Sequence, residues 1–318
     1  MSLPDVLAAA KLAPLYADQL KTAFTVHDRL HETDPAALAK LAPGIRAIAA
    51  QGETKVSAEL IAQLPALELI SVMGVGYDGV DVAAAKARGV VVTHTPNVLN
   101  DDVADVALGL MLNASRQFVA ADRFVRAGQW AQGPMPLARK MSGARLGLVG
   151  MGRIGQAIAH RALAFGMSVA YHTRNARPDL PYQHVPSLVD LAAQSDFLVV
   201  ITPGGQGTYR LINAPVLAAL GGGHGQGYLI NVARGSVVDE TALLDALEQG
   251  VIAGAGLDVF EKEPQVPERL RAMPHVVLSP HVGSATNATR QAMADLAVNN
   301  LKALFAGQPL LTPVPECQ

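Results

Sequence analysis

The chain is poor in several things, and each absence closes off a class of protein. One cysteine, Cys317, stands in 318 residues. A single cysteine excludes an internal disulfide framework and fits a reducing compartment, so a cytoplasmic location is expected. Charged residues make up only 16% and the net charge is −2, so no nucleic-acid partner is expected. No apolar run approaches the roughly 18 residues a membrane helix needs. The longest helical pattern, near 103–114, is interrupted by Asp105 and Asn113, and no membrane partner is expected. The leading segment MSLPDVLAAAKLAPLY carries no charged leader and reads as a first strand rather than a signal peptide. There is no H-E-x-x-H and no cysteine cluster, so no catalytic metal is expected. Fixed-period repeats are absent too, and the AAA and GGG runs at 83–85 and 221–223 are short.

What is present is a regular alternation. The length suits two domains, and an apolar half suits a compact enzyme. Short apolar runs at Val6–Ala10, Phe24–His27, Ala47–Ala50, Leu69–Met73 and Val90–Thr93 alternate with helical patterns such as Ser57–Gln63 and Val82–Arg88. A second series follows: RLGLVG from Arg145, then SVAYHT, DFLVVIT, GYLINV, IAGAGLDV and HVVLSP. Such alternation predicts parallel sheets flanked by helices. Between the series runs a long helical stretch, about Asp101–Gly128, broken near Arg116. The last amphipathic helix, about Asn287–Leu304, comes after the second series ends and needs a surface to pack on. The fold class is therefore α/β, with two Rossmann-like or flavodoxin-like domains. A discontinuous substrate domain, 1–99 plus 286–318, is expected to enclose a dinucleotide-binding domain, 100–285.

GMGRIG, Gly150–Gly155, follows the strand RLGLV and opens a helix. A G-x-G-x-x-G in that context is a dinucleotide fingerprint. Gly150 permits the tight turn, Gly152 lets backbone approach a pyrophosphate, and Gly155 allows close helix–strand packing. The acid normally expected roughly 20 residues on binds the ribose 2′-OH. Here the stretch AYHTRNAR offers His172, Thr173, Arg174 and Asn175 instead. A guanidinium with hydroxyl and amide neighbours suits a 2′-phosphate, so NADPH is expected in preference to NADH. The plainer alternative makes Arg174 and Arg177 solvated loop charges, with Asp179 too late to matter.

Three later segments, LINVARGSVVDE, GLDVFEKEP and LSPHVGSAT, put polar residues directly after apolar strands, where open α/β sheets hold ligands. They supply a guanidinium (Arg234), carboxylates (Asp258, Glu263) and an imidazole (His281), a set suited to reducing a carbonyl. Each has a structural alternative. Arg234 could pair with Asp239 or Glu240, Glu263 could be a solvated turn residue beside Lys262, and His281 a satisfied structural histidine. His94 is read as structural, His172 as part of the cofactor strand, and His275 as a turn residue. Trp130, the only tryptophan, is read as core or interface packing.

Glycine loop, ARG segment, Glu-x-x-x-x-Glu-Pro run and final PHVGSAT together make nearly the whole chain resemble the D-isomer-specific 2-hydroxyacid dehydrogenases, with the glyoxylate/hydroxypyruvate reductase branch nearest. The resemblance implies a catalytic Arg234, Glu263 and His281, with Asp258 on the nicotinamide side. It also implies that SVMGVGYDGVD places the Val75 and Gly76 amides, with Arg234, on the substrate carboxylate, and that the chain forms a homodimer through the 101–140 segment. Cofactor contacts are expected at Gly150, Gly152, Arg153, Ile154, Gly155, His172, Thr173, Arg174, Asn175, Thr202, Pro203, Val232, Asp258 and Gly283. The expected reaction is reduction of a small 2-keto acid, with His281 as proton donor and Glu263 raising its pKa. Two alternatives stand beside it: an aryl-pyruvate reductase, since a pocket lined by Tyr77, Met135 and Leu137 could accept small or bulky acids, and a non-catalytic dinucleotide sensor. The glycine-rich TPGGQGT leaves the cofactor-side wall open.

Overall fold

The computed structural model describes residues 3–318; the first two residues of the leading segment lie outside them. The described residues divide into two compact units, one of 3–99 and 286–318, the other of 100–285.

In the first unit, β1 (Asp5–Ala8), β2 (Thr25–Asp28), β3 (Ala47–Gln51), β4 (Leu69–Met73) and β5 (Val91–Thr93) form a parallel sheet in the order β2-β1-β3-β4-β5. β1 stops two residues short of the expected Ala10, and β2 is shifted one residue toward the C-terminus. The central strands read as unbroken apolar runs because helices cover both faces. Leu7, Ile48, Ile70 and Val92 form one core with Ile45, Ile61 and Leu64. The helix Asn287–Phe305 is capped by the Thr286 hydroxyl and packs on β4 and on the helix Pro14–Ala23. Ser71 on β4 donates to the Ala297 carbonyl at 2.9 Å, so even the polar group on that buried strand is satisfied.

In the second unit the strands are β6 (Arg145–Val149), β7 (Ser168–His172), β8 (Gln183–His184), β9 (Phe197–Val200), β10 (Tyr228–Asn231), β11 (Gly254–Leu257) and β12 (Val276–Leu278), all parallel. Their order is β12-β11-β10-β9-β6-β7-β8. From β6 the chain winds one way through β7 and β8, then crosses to β9 and winds the other way. The reversal between β6 and β9 is the switch point at which such sheets open a crevice at their carboxyl ends. Helix Asn100–Arg116 ends where Gln117 turns left-handed (φ 55°), and a second helix, Phe118–Arg126, departs from there. A core including Val149, Leu198, Val200, Leu229, Leu257 and Phe260 underlies the strand ends. Truncating one such leucine to alanine costs about 2–5 kcal/mol, against about 0–1 kcal/mol for an exposed ion pair such as Arg46–Glu68, so apolar burial dominates the stability within each unit. No helix among the described residues is long and apolar enough to cross a membrane.

Candidate active site

Three glycines after β6 serve three different purposes. Gly150 is left-handed (φ 108°), and a Cβ there would sit 2.5 Å from the Ile201 carbonyl oxygen, so the turn runs against the end of β9. A Cβ on Gly155 would sit 2.5 Å from the Gly150 carbonyl oxygen. Gly152 differs: it precedes the helix Arg153–Ala164, and a Cβ there would meet nothing within 4 Å. The protein's own packing demands the first and third glycines but not the second. Gly152 leaves clear the space before a helix start that has no side-chain cap. Uncapped N–H groups and the positive end of the helix dipole favour an anion there, so the residues fit a dinucleotide pyrophosphate. Arg153 is exposed on the first helical turn, and Ile154 behind it is half-buried.

At the end of β7 the polar side chains sort themselves. His172 donates from Nδ1 to the Val185 carbonyl (3.0 Å), and the Thr173 hydroxyl donates to the Asn175 carbonyl (2.6 Å). Arg177 makes a two-pronged pair with Asp179, at 2.9 and 2.7 Å. Arg174 is exposed and has no ion-pair or hydrogen-bond partner among the described residues. Asp179 is thus neutralised by Arg177, whereas the charge of Arg174 has no counter-ion among the described residues. Beyond β9, Thr208 closes the glycine-rich loop by donating to the Pro203 carbonyl (2.7 Å), next to a half-buried Thr202. Val232 is buried and its N–H donates to the Val200 carbonyl (3.2 Å).

The catalytic candidates of this unit come together around the turns after β10, β11 and β12. Asn231 pins the first turn, donating to the Arg234 carbonyl and accepting from the Ala233 N–H, both at 3.0 Å. Gly235 lies so close to the next turn that a Cβ would fall 1.9 Å from the Phe260 carbonyl carbon. Arg234 donates to the Ala233 carbonyl at 2.8 Å, and its charge is felt by both Glu263 and His281. Asp239 caps the helix Glu240–Glu248 and faces Arg210, and Glu240 accepts from the Glu261 N–H.

Glu263 is half-buried. Its Oε1 accepts from the Phe260 N–H (3.0 Å), and its Oε2 meets His281 Nδ1 at 2.8 Å. A carboxylate partner fixes the proton on Nδ1, so Nε2, without a partner among the described residues, is the atom presented outward. The hydrogen bond to Glu263 raises the His281 pKa above the ordinary imidazole value; burial and Arg234 oppose it, and the charges of Glu263 and Asp258 assist. Burial pushes the Glu263 carboxyl up, but the bond and charge of His281, the Phe260 N–H and Arg234 outweigh it, and the net pKa falls.

His281 itself is left-handed (φ 53°), an uncommon state for a residue with a side chain. Asp258, almost wholly buried, holds it there. Its Oδ1 accepts from the Val282 N–H (2.8 Å) and the Ser279 hydroxyl (2.6 Å), and its Oδ2 from the Gly283 N–H (2.8 Å). The His281 N–H adds a bond to the Asp258 carbonyl at 2.9 Å. Asp258 and Gly283 are therefore engaged with each other. The roles of Asn231 and Ser279 are not legible in the sequence, although both lie inside the LINVARG and LSPHVG motifs; a hydroxyl two residues before the histidine is the available signal.

In the first unit, Val75 and Gly76 are half-buried, and neither N–H donates to a described residue. Trp130 is 68% exposed, which excludes the core half of the expectation and leaves the interface half. Leu137 is fully exposed, and the Tyr77 hydroxyl is tied to Glu316 at 3.0 Å.

A switch-point glycine loop and an imidazole–carboxylate pair at neighbouring strand ends define a nucleotide-dependent oxidoreductase. Residues 108–283 match the model for the D-isomer specific 2-hydroxyacid dehydrogenase NAD binding domain. The chain is 48% identical over 270 residues to a glyoxylate/hydroxypyruvate reductase A of Arabidopsis thaliana, covering 85% of each chain. It is 49% identical over 277 residues to a hydroxyphenylpyruvate reductase of Plectranthus scutellarioides, covering 87% of this chain and 88% of the other. An NADPH-dependent glyoxylate/hydroxypyruvate reductase of Sinorhizobium meliloti, solved with NADP and malonate, superposes with a TM-score of 0.92 at 47% identity, over 99% of this chain and 98% of that one. The chain belongs to the D-isomer specific 2-hydroxyacid dehydrogenase family and is an NAD(P)-dependent enzyme that reduces small 2-keto acids.

Proposed function

We propose that the enzyme uses NADPH to reduce glyoxylate to glycolate and hydroxypyruvate to D-glycerate. The observation that carries the cofactor choice is the asymmetry of the two arginines after β7, Arg177 locked to Asp179 and Arg174 left open. A fixed charge beside Thr173 and Asn175 suits a 2′-phosphate, and the NADP in the Sinorhizobium meliloti relative supports the same choice. The remaining cofactor contacts are assigned to Gly150, Gly152, Arg153, Ile154, Gly155, His172, Thr202, Pro203, Val232, Asp258 and Gly283.

Bound, the nicotinamide supplies the hydride that goes to the keto carbon. His281 gives its Nε2 proton to the alkoxide oxygen as charge develops there, and Glu263 keeps the imidazole oriented and protonated beforehand. Arg234 pairs with the substrate carboxylate and polarises the carbonyl, acting as a preorganised charge. The Val75 and Gly76 N–H groups, without a partner among the described residues, donate to the same carboxylate. Similarity to the hydroxyphenylpyruvate reductase favours aryl pyruvates as the second substrate class.

We also assign the exposed apolar side chains of Phe118, Val125, Trp130 and Leu137 to a homodimer interface, because solitary chains seldom leave such a stretch open to water. Sedimentation should report a dimer, and Phe118→Glu with Val125→Glu a monomer. The single cysteine supports a reducing, cytoplasmic setting.

Initial rates measured at the nicotinamide absorbance band, NADPH against NADH, with glyoxylate, hydroxypyruvate and phenylpyruvate, test the substrate and cofactor assignments. Turnover with NADPH and the two small acids is expected. Turnover with phenylpyruvate alone would move the substrate class. NADPH binding without any turnover would replace the enzyme by a sensor.

A further inference from the structure

The Val75 and Gly76 amides lie in a loop with no regular secondary structure, yet a carboxylate site needs both N–H groups pointing the same way before substrate arrives. In a trans peptide the carbonyl and the following N–H point in opposite directions within one plane. Whatever holds the Gly74 carbonyl therefore aims the Val75 N–H, and whatever holds the Val75 carbonyl aims the Gly76 N–H. The two holders are consecutive residues. The Thr95 N–H donates to the Gly74 carbonyl at 2.8 Å. His94 Nδ1 meets the Val75 carbonyl at 2.9 Å, and a carbonyl acceptor requires that Nδ1 carry the proton.

We infer that His94 is a positioning residue for substrate: with the Thr95 amide it clamps two successive peptide planes of the 74–76 loop, so that the Val75 and Gly76 N–H groups form a preset carboxylate receptor.

The clamp is anchored from behind. The His94 N–H donates to the Thr312 carbonyl (3.2 Å), and the Thr312 hydroxyl donates to the His94 carbonyl (2.6 Å). Buried Asn300 fixes Thr312 in turn, donating to its hydroxyl oxygen (2.9 Å) and accepting from its N–H (3.2 Å). The imidazole also meets the Tyr77 ring edge-on, with centroids 5.4 Å apart. The ring is thus held by its backbone on one side and by an aromatic neighbour on the other. Fixed donors of this kind lower the ordering cost of binding rather than adding a contact to the ligand.

The inference rests on the proposed use of the Val75 and Gly76 amides, and the test separates the two. The amide resonances of Val75 and Gly76 would be followed by NMR in the NADP+-loaded enzyme during titration with oxalate, for wild type, His94→Gln and His94→Asn. An asparagine places its amide nitrogen where Nδ1 stood, whereas glutamine keeps bulk and polarity but moves its donor one bond further out. In wild type both resonances should shift. In His94→Gln the oxalate Kd and the glyoxylate KM should rise about five- to tenfold, with kcat and the NADPH KM nearly unchanged. His94→Asn should stay within about twofold of wild type, since the δ donor is retained. If neither resonance moves in wild type, the amide site itself is wrong and the clamp falls with it. If both move in wild type and His94→Gln binds oxalate as well, or if the two variants are impaired equally, the amide site stands and the positioning role is overturned.

Discussion

The turn after β12 and the turn after β7 sit on one sheet and are built on opposite plans. Around His281 the polar atoms are largely used: Asp258 takes three side-chain-directed donors, Glu263 takes two, and Nε2 has no partner among the described residues. Arg174 is exposed and has no partner among the described residues. The proposed proton donor gains from having its alternatives removed. The proposed reader of a ligand's charge gains from having its own charge unspent. The same contrast separates the glycines, since Gly150 and Gly155 answer to protein backbone and Gly152 to open space.

The contrast can be broken at its strongest point first. His281→Gln should lower kcat by about 10²–10⁴-fold in steady-state assays while NADPH binding, followed by fluorescence titration, persists. A near-normal rate would place the proton donor elsewhere. Glu263→Gln should cost about 10- to 100-fold, the worth of a hydrogen bond to a charged group, and should also move the pH profile. The sign follows from the raised His281 pKa. Reduction needs the imidazolium, so its rate is level at low pH and falls as pH rises through a value above the ordinary histidine figure of about 6.5. Oxidation of the hydroxy acid needs the neutral ring and gains over the same interval. Glu263→Gln should slide both limbs toward lower pH; limbs that stay put would mean another group titrates. For folding, the imidazolium's contribution is complete below its unfolded pKa and lost as pH rises through the raised folded value. The lowered Glu263 contributes above its unfolded pKa and fades as pH falls through the folded one, so the pair supports the fold most fully between the ordinary carboxylate and imidazole values.

On the recognition side the effects are smaller. Arg174→Ala should raise the NADPH KM about tenfold and leave the NADH KM alone, whereas Arg177→Ala should do less, because Asp179 already occupies it. Equal effects on both cofactors would remove the 2′-phosphate from Arg174. Smallest for the fold is Gly152→Ala, expected within about 0.5 kcal/mol in denaturant unfolding, with weakened cofactor binding. Gly150→Ala, left-handed and against Ile201, should cost about 1–3 kcal/mol.

Much of this was legible in the residue order. FLVV and YLIN read as strands because parallel strands covered on both faces are apolar throughout. The glycine loop and the three polar turns carry their chemistry in fixed motifs. β8 was missed because its two residues, Gln183 and His184, make no apolar pattern. The glycines of GAGL look like strand breakers, yet Gly254 and Gly256 are there because a Cβ would fall 2.5 Å from the His275 carbonyl oxygen and 2.9 Å from Leu110 Cβ. His94 read as structural because the carbonyl it holds lies 19 residues away. Whether Trp130 is core or interface is left open in the sequence, because composition cannot say that a segment is exposed on its own unit.

One contact has a reach beyond its size. Gly235 and Phe260 touch with no clearance, so the turn bearing Arg234 and the turn leading to Glu263 share a seam with no slack. Arg234 and Glu263, 29 positions apart in the chain, are thereby coupled: a side chain at Gly235 would part that seam and shift the guanidinium and the carboxylate together.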